Sequence, residues 1–212
     1  MTSVPILTTT QEVSDLTARL MQETAVAIDL EMDALHSYQE KICLAQVSSS
    51  TETVIIDPLA GADLAPLTPL FASSDIRKIF HAADYDLRSL KRDYGFEVRN
   101  LFDTMVSAQL CGEGKIGLAD LLQKYFGIEL DKKYQRADWS QRPLKPEMIR
   151  YALKIPAICT VWLILSKDSC VIWVDWTGYW KNARSWRRSP LPSMAVRFFS
   201  ASKGPGEWNV SN

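Results

Sequence analysis

The chain has 212 residues, of which 47% are apolar, enough for one well-buried domain with room for an appendage. Its net charge of −1 excludes a global basic field for nucleic acid, although a local groove remains compatible with the sequence. The apolar runs are too short to cross a bilayer, and the first residues lack the features of a signal peptide. We therefore expect a cytoplasmic protein with buried, reduced thiols, namely Cys43, Cys111, Cys159 and Cys170.

Hydrophobic periodicity predicts secondary structure over the first three-quarters of the chain. Strands are predicted at residues 25–30, 42–47, 53–56 and 78–80, and helices at 65–72, 84–93, 104–110 and 117–126. Asp84 is the predicted N-cap of the helix that starts there. Three adjacent strands followed by alternating helices and strands predict a mixed α/β sheet.

The chain changes character near residue 155. Residues 1–155 hold 22 acids and 17 bases, whereas residues 156–212 hold 3 acids and 7 bases, and six of the seven tryptophans lie after residue 160. The second part has neither a helical nor a strand period over a useful length. We interpret it as a degenerate, poorly packed tail with exposed tryptophans; the alternative is a basic arm that stacks on nucleic acid.

The triplet Asp29-Leu30-Glu31 closes an apolar run that begins at Ala25. Residues i and i+2 of a strand share one face, so both carboxylates point into the same space. Carboxylates this close repel each other unless a cation lies between them, and oxygen ligands of this kind suit Mg²⁺ or Mn²⁺. The triplet predicts a divalent metal site, with solvated acids at a strand end as the alternative.

Two further acids lie where a predicted strand meets a helix. Asp86 follows the strand 78–80 and falls in the first turn of the next helix, where a carboxylate can face back towards the edge of the sheet. Asp103 follows two apolar residues and precedes a helix, and the sequence leaves open whether it is a helix cap or a functional acid.

One set of motifs runs in order along residues 10–154. It comprises Asp29-Leu-Glu31, His81-Ala-Ala-Asp-Tyr-Asp86-Leu, Leu101-Phe-Asp103-Thr, a stretch from Asp131-Lys through Asp138-Trp to Arg142-Pro-Leu, and Tyr151-Ala. Together these motifs resemble the DEDD group of 3′–5′ exonucleases, and its ribonuclease D-like branch most closely. The resemblance implies a ribonuclease H-like mixed sheet flanked by helices.

The resemblance also implies roles for individual residues. In the DEDD group four acids hold two divalent ions, Mg²⁺ or Mn²⁺, and a tyrosine orients the attacking water. Carried over, Asp29, Glu31 and Asp86 are metal ligands and Tyr151 is the water-orienting residue. Nucleic-acid contacts are expected at His81, Lys132, Arg136 and Arg142, although the three bases also fit an ordinary solvated surface. The implied partners are single-stranded RNA 3′ ends or tRNA precursors, and no protein partner can be inferred.

The fourth acid of that pattern is missing. It belongs four residues after the tyrosine, one helical turn on, where this chain has Ile155 followed by Pro156. Isoleucine cannot ligate a metal, so one of the two metal sites is expected to be weakened. If one G is inserted in the coding DNA before codon 155, the codons that follow are regrouped. Permitted codons can then encode Asp-Thr-Arg-Tyr-Leu-Tyr-Arg-Leu, which matches the missing motif. We therefore hypothesise that residues 155–212 are a frameshifted product appended to an exonuclease domain at residues 1–154.

Three functions are compatible with these observations. The first is a metal-dependent 3′–5′ exoribonuclease impaired by the loss of the fourth acid. The second is a catalytically inactive nucleic-acid-binding protein that keeps the groove without turnover. A purely structural module is the least favoured, because acids at three separate motif positions would then have no purpose.

Overall fold

The computed structural model describes residues 4–33, 40–130 and 132–153, together with the strands Val171–Val174 and Val196–Phe199. Six strands form one mixed sheet in the spatial order β1-β4-β3-β2-β5-β6. Strand β3 is antiparallel to β2 and β4, whereas β5 and β6 continue the sheet parallel to β2. The strands are β1 Ile6–Leu7, β2 Ala25–Met32, β3 Ile42–Ser48, β4 Thr53–Ile56, β5 Arg77–Phe80 and β6 Leu101–Asp103. This arrangement confirms the predicted mixed α/β sheet, with β2 in a central position.

Six α-helices flank the sheet within the described part of the chain. They are α1 Thr10–Leu20, α2 Thr68–Ala72, α3 Asp84–Tyr94, α4 Thr104–Leu110, α5 Leu118–Phe126 and α6 Pro146–Ala152. Short 3₁₀ turns occupy Pro58–Ala60, Ala65–Leu67 and Lys132–Arg136. None of the helices so described is long and apolar enough to span a membrane.

Side chains alternate between two faces of the sheet, as strand geometry requires. Val26, Ile28 and Leu30 of β2 point into the main core together with residues of α1 and α3. Their neighbours Ala25 and Ala27 belong to the opposite face, where they contact Ile79 and Phe102. Asp29 and Glu31 follow the same alternation onto that opposite face. The site is therefore built on the side of the sheet that lies away from the main core.

The opposite face carries two separate apolar clusters. One contains Ala27, Ile79 and Phe102. The other contains Leu44 and Ile55 of the sheet together with Trp139 and residues of α6. Asp29 lies on β2 between the strands that supply the two clusters, so polar residues interrupt the apolar surface at this point.

Several sequence-based expectations need correction. Helix α1 was missed, and the helix predicted at residues 65–72 is a 3₁₀ turn followed by α2. Asp84 is not an N-cap, because Ala83 occupies that position and Asp84 instead pairs with Arg88 one turn on. Cys43 is buried as expected, but Cys111 is exposed.

Within residues 155–212 the structure describes two strands, β7 Val171–Val174 and β8 Val196–Phe199, which pair antiparallel. The predicted packing of the tail and the exposure of its tryptophans lie outside the described residues. The same holds for Ile155 and Pro156, and for Cys159 and Cys170.

Candidate active site

Strand β2 presents Asp29 close to the carboxyl ends of the parallel strands. Asp29 is partly accessible by surface area, but dense protein surrounds its carboxylate. This burial raises the pKa of the Asp29 carboxyl to about 6, although a hydrogen bond from the backbone of Leu30 acts to lower it. Burying a carboxylate has an energetic cost, which a bound cation would remove.

Asp86 lies in the first turn of α3 and is 8% exposed. Burial, followed by the negative charges of Asp29 and Asp103, raises the pKa of the Asp86 carboxyl well above its usual range. Asp29 and Asp86 are thus close enough to repel each other. Glu31 occupies the same face of β2 two residues after Asp29 and is half-buried.

The chemistry of these donors fits a divalent cation. Carboxylate oxygens are the ligands that Mg²⁺ and Mn²⁺ prefer, and two buried carboxylates that repel each other gain most from sharing such an ion. Among the described residues, however, no three His, Cys, Asp or Glu side chains form a ready metal-binding group. A divalent ion bound by Asp29 and Asp86 would need at least one further ligand.

The pH dependence of stability provides a test of the Asp29 environment. Because folding raises the pKa of Asp29 from 3.8 to about 6, the folded state favours the protonated carboxyl. The contribution of Asp29 to the free energy of unfolding is therefore largest below pH 3.8 and is lost as the pH rises through about 6. Without metal, we expect Asp29→Asn to be more stable than the native chain by about 1–3 kcal/mol at pH 8, and nearly equal at pH 4. Urea unfolding in EDTA measures both values.

The exposed Asp15→Asn variant is the matched control for this measurement. A stability difference for Asp29→Asn that stays constant between pH 4 and pH 8 would contradict the buried, repelled carboxylate.

Asp103 is a helix cap, which is one of the two roles that the sequence left open. It is the N-cap of α4, and its Oδ1 accepts hydrogen bonds from the backbone N–H groups of Met105 and Val106 at 2.8 and 3.3 Å. The same carboxylate accepts from the backbone N–H groups of Ala82 and Ala83 at 3.1 and 2.8 Å. Ala82 has a φ of 60°, a left-handed conformation that alanine rarely adopts. Asp103 thus holds the strained turn that leads into the helix of Asp86.

His81 is fixed in one tautomer by its neighbours. The hydroxyl of Thr104 donates its hydrogen to the carbonyl of Phe80 at 3.0 Å, so its oxygen accepts from His81 Nδ1 at 2.8 Å. Burial lowers the pKa of His81, which favours the neutral ring. The neutral ring then carries its proton on Nδ1, and Nε2 keeps a free electron pair.

Tyr151 lies on α6 and packs into the second apolar cluster of this face. Its ring centroid is 5.9 Å from that of Tyr134 and 5.9 Å from that of Trp139. The cluster includes Leu44, which pairs across the sheet with Glu31. Tyr151 is therefore held on the same side of the sheet as the acids.

Arg142 does not fit the expected phosphate contact. Its guanidinium donates to Asp57 through Nε at 2.7 Å and Nη2 at 2.5 Å, and to the backbone carbonyls of Trp139, Gln141 and Cys43. All five N–H donors are thus engaged, and the side chain joins the segment before α6 to β3 and to the end of β4. Sequence reasoning could not find Asp57, because the two residues are 85 positions apart.

The other expected bases differ in their surroundings. Arg136 is exposed at the end of the 3₁₀ turn Lys132–Arg136, so a phosphate contact there stays a prediction. The side chain of Lys132 lies outside the described part of the structure.

Comparison with known proteins identifies the family of this fold and site. A family model described as a 3′–5′ exonuclease matches residues 4–154. The chain belongs to this 3′–5′ exonuclease family. Ribonuclease D of Zymomonas mobilis is 36% identical over 168 residues, which cover 77% of this chain and 43% of that protein. The exosome complex component 10 homolog of Caenorhabditis elegans is 40% identical over 152 residues, which cover 71% of this chain and 17% of that protein.

A solved structure agrees with these relatives. RNase D of Escherichia coli, described as an exoribonuclease involved in structured RNA processing, matches with a TM-score of 0.69 at 27% identity, covering 78% of this chain and 46% of that one. These similarities place the chain in the ribonuclease D-like branch of the family and confirm the ribonuclease H-like fold. The chain spans less than half the length of these relatives.

Proposed function

We propose that this chain is a metal-dependent 3′–5′ exonuclease that shortens RNA from its 3′ end, with turnover lowered by the absence of the fourth acid. The observation that carries the proposal is the pair Asp29 on the central strand β2 and Asp86 in the first turn of α3, two carboxylates close enough for their charges to repel. The family match and the relatives named ribonuclease D support RNA as the substrate class. From the motif resemblance, we propose single-stranded RNA 3′ ends or tRNA precursors as the substrates and the cytoplasm as the location.

Asp29, Glu31 and Asp86 are the residues that would hold Mg²⁺ or Mn²⁺. Such ions, when bound, generate a hydroxide from water and stabilise the leaving 3′ oxygen of the phosphodiester. Asp103 contributes indirectly, because its four hydrogen bonds fix the turn that aims α3 and Asp86 at the site. Tyr151, held on the same side of the sheet, is the candidate for orienting the attacking water.

His81 offers a contact to the sugar rather than to the phosphate. The neutral ring has an acceptor at Nε2, and an ionised phosphate has no hydrogen to donate to it. A ribose hydroxyl does have such a hydrogen. Within this proposal His81 therefore binds a hydroxyl group of the terminal nucleotide.

The experiment that tests the function follows the length of a single-stranded RNA labelled at its 5′ end, in the presence of Mn²⁺. We expect stepwise shortening from the 3′ end, stopped by EDTA, and reduced at least about 100-fold in Asp29→Asn and in Asp86→Asn. Asp84→Asn is the matched control, because Asp84 lies on the same helix and pairs with Arg88 at its partly exposed surface.

Two outcomes would overturn the proposal. Shortening that survives in Asp29→Asn would come from a different site or protein. RNA binding without any Mn²⁺-dependent shortening would instead favour the inactive nucleic-acid-binding protein.

A further inference from the structure

The side chain of Gln46 is the least satisfied polar group near the candidate site. Gln46 lies on the interior strand β3 and is 0% exposed. Neither its Nε2 nor its Oε1 has a hydrogen-bond partner among the described residues. A buried amide left in this state is destabilising, so we expect Gln46 to have a hydrogen-bond partner in the active protein.

The sheet register places Gln46 directly beside Asp29. The two residues are paired across β3 and β2, so their side chains share one face. Directly opposed residues of antiparallel strands have Cβ atoms about 4.5–5.5 Å apart, which is within reach of a glutamine amide. On the other side Gln46 faces Ile55 of β4, which offers no polar group.

A neighbouring polar residue on this face already has a hydrogen-bond partner. Ser48, two residues along β3, shares a hydrogen bond of 2.9 Å with Thr53. Trp139 is the exception, since its Nε1 is also buried without a partner. Trp139 belongs to the cluster of Leu44 and Ile55, the residues that flank Gln46 along and across the sheet.

These orphaned atoms have complementary chemistry. The indole N–H of Trp139 is only a donor, and Gln46 Oε1 is an acceptor. The Gln46 amide nitrogen is a donor, and the Asp29 carboxylate is an acceptor. An amide with its oxygen towards the indole and its nitrogen towards the carboxylate would satisfy the orphaned atoms of both Gln46 and Trp139.

We propose that Gln46 is a positioning residue for Asp29: its amide nitrogen donates to the Asp29 carboxylate when that carboxylate binds a divalent ion, while its oxygen accepts from Trp139. Hydrogen bonds of this kind orient carboxylate ligands and strengthen metal binding. The inference rests on the proposed function, because it requires Asp29 to be a metal ligand. It adds a residue that does not touch the ion and acts through Asp29.

The test compares Mn²⁺ binding and metal-free stability in Gln46→Met, which keeps the size of the side chain and removes the amide. Titration calorimetry should show Mn²⁺ affinity reduced about 10–100-fold relative to the native chain. Urea unfolding in EDTA should show unchanged or increased stability, because removing an unsatisfied buried amide removes its desolvation cost. Gln109→Met, on an exposed position of α4, is the matched control.

Trp139→Phe provides a second, independent variant. It should weaken Mn²⁺ binding in the native background and have no further effect in the Gln46→Met background, because the indole acts only through the amide.

The outcomes separate this inference from the proposed function. If Asp29→Asn abolishes Mn²⁺ binding and Gln46→Met leaves it unchanged, the role of Gln46 is wrong and the proposed function stands. If Asp29→Asn leaves Mn²⁺ binding unchanged, the proposed function itself is wrong. Loss of folding or stability in metal-free Gln46→Met would identify a structural residue and overturn the inference.

Discussion

Restoring the reading frame after Lys154 should raise the rate of 3′-end release by orders of magnitude, whereas Ile155→Asp alone should recover little. The restored frame supplies an acid one helical turn after Tyr151, where both side chains share a face. In Ile155→Asp the following Pro156 remains, and a proline inside a helix costs about 3 kcal/mol. The helix that must present the new carboxylate is therefore disrupted in the single variant. The family match ends at residue 154, which supports this placement of the break.

The rates should be measured on the same RNA and at the same Mn²⁺ concentration for the native chain, Ile155→Asp and the restored frame. The restored frame carrying Asp29→Asn is the control, and it should be inactive. Equal rates for the native and restored chains would contradict the prediction and imply that another acid has replaced the missing one. Asp103 is a poor candidate for that replacement, since its carboxylate already accepts four backbone hydrogen bonds.

The coding DNA provides a direct check of the frameshift itself. A template on which no one-base insertion near codon 155 restores the acid-containing motif would refute the hypothesis. The native chain would then be a divergent member whose tail evolved as written.

Local patterns in the sequence were sufficient to predict the strand of Asp29 and the position of Asp86. An apolar run that ends in two acids specifies the strand, its buried face and the direction of its carboxylates. The missed helix α1 also had a local signal, because Thr9 and Glu12 form a capping box in which each side chain caps the other's backbone. That spacing could have been found by the same reasoning that was applied elsewhere.

Other features depend on contacts between distant parts of the chain and were not predictable. Asp103 is indistinguishable in sequence from a catalytic acid until its contacts with Ala82 and Ala83, about 20 residues earlier, are known. In the sequence Gln46 is a single polar residue in a strand, and only its pairing with Asp29 across the sheet indicates a role for it. Arg142 was expected at the surface because its partner Asp57 lies on a segment far away in sequence.

Arg142→Met should lower the free energy of unfolding by about 3–5 kcal/mol at pH 7, because it leaves Asp57 as a buried carboxylate without its counter-charge. Asp57 is 4% exposed, and the bidentate contact spans the segment before α6 and the end of β4. The backbone carbonyls of Trp139, Gln141 and Cys43 would lose their donor in the same variant. Urea unfolding measures the change, and fluorescence anisotropy of a labelled RNA measures binding by the protein that remains folded.

Arg136→Met is the matched control for Arg142→Met, since Arg136 is exposed on the preceding turn and should leave stability unchanged. The double variant Asp57→Asn with Arg142→Met should be less destabilised than the sum of the two single variants, because neither charge is then left buried alone. A stable Arg142→Met protein with weakened RNA binding would reverse the assignment and restore Arg142 as a phosphate contact. We expect Arg142 to have a structural role because all five of its guanidinium donors are engaged. Binding a phosphate would require breaking the contacts that hold α6, and with it Tyr151, over the sheet.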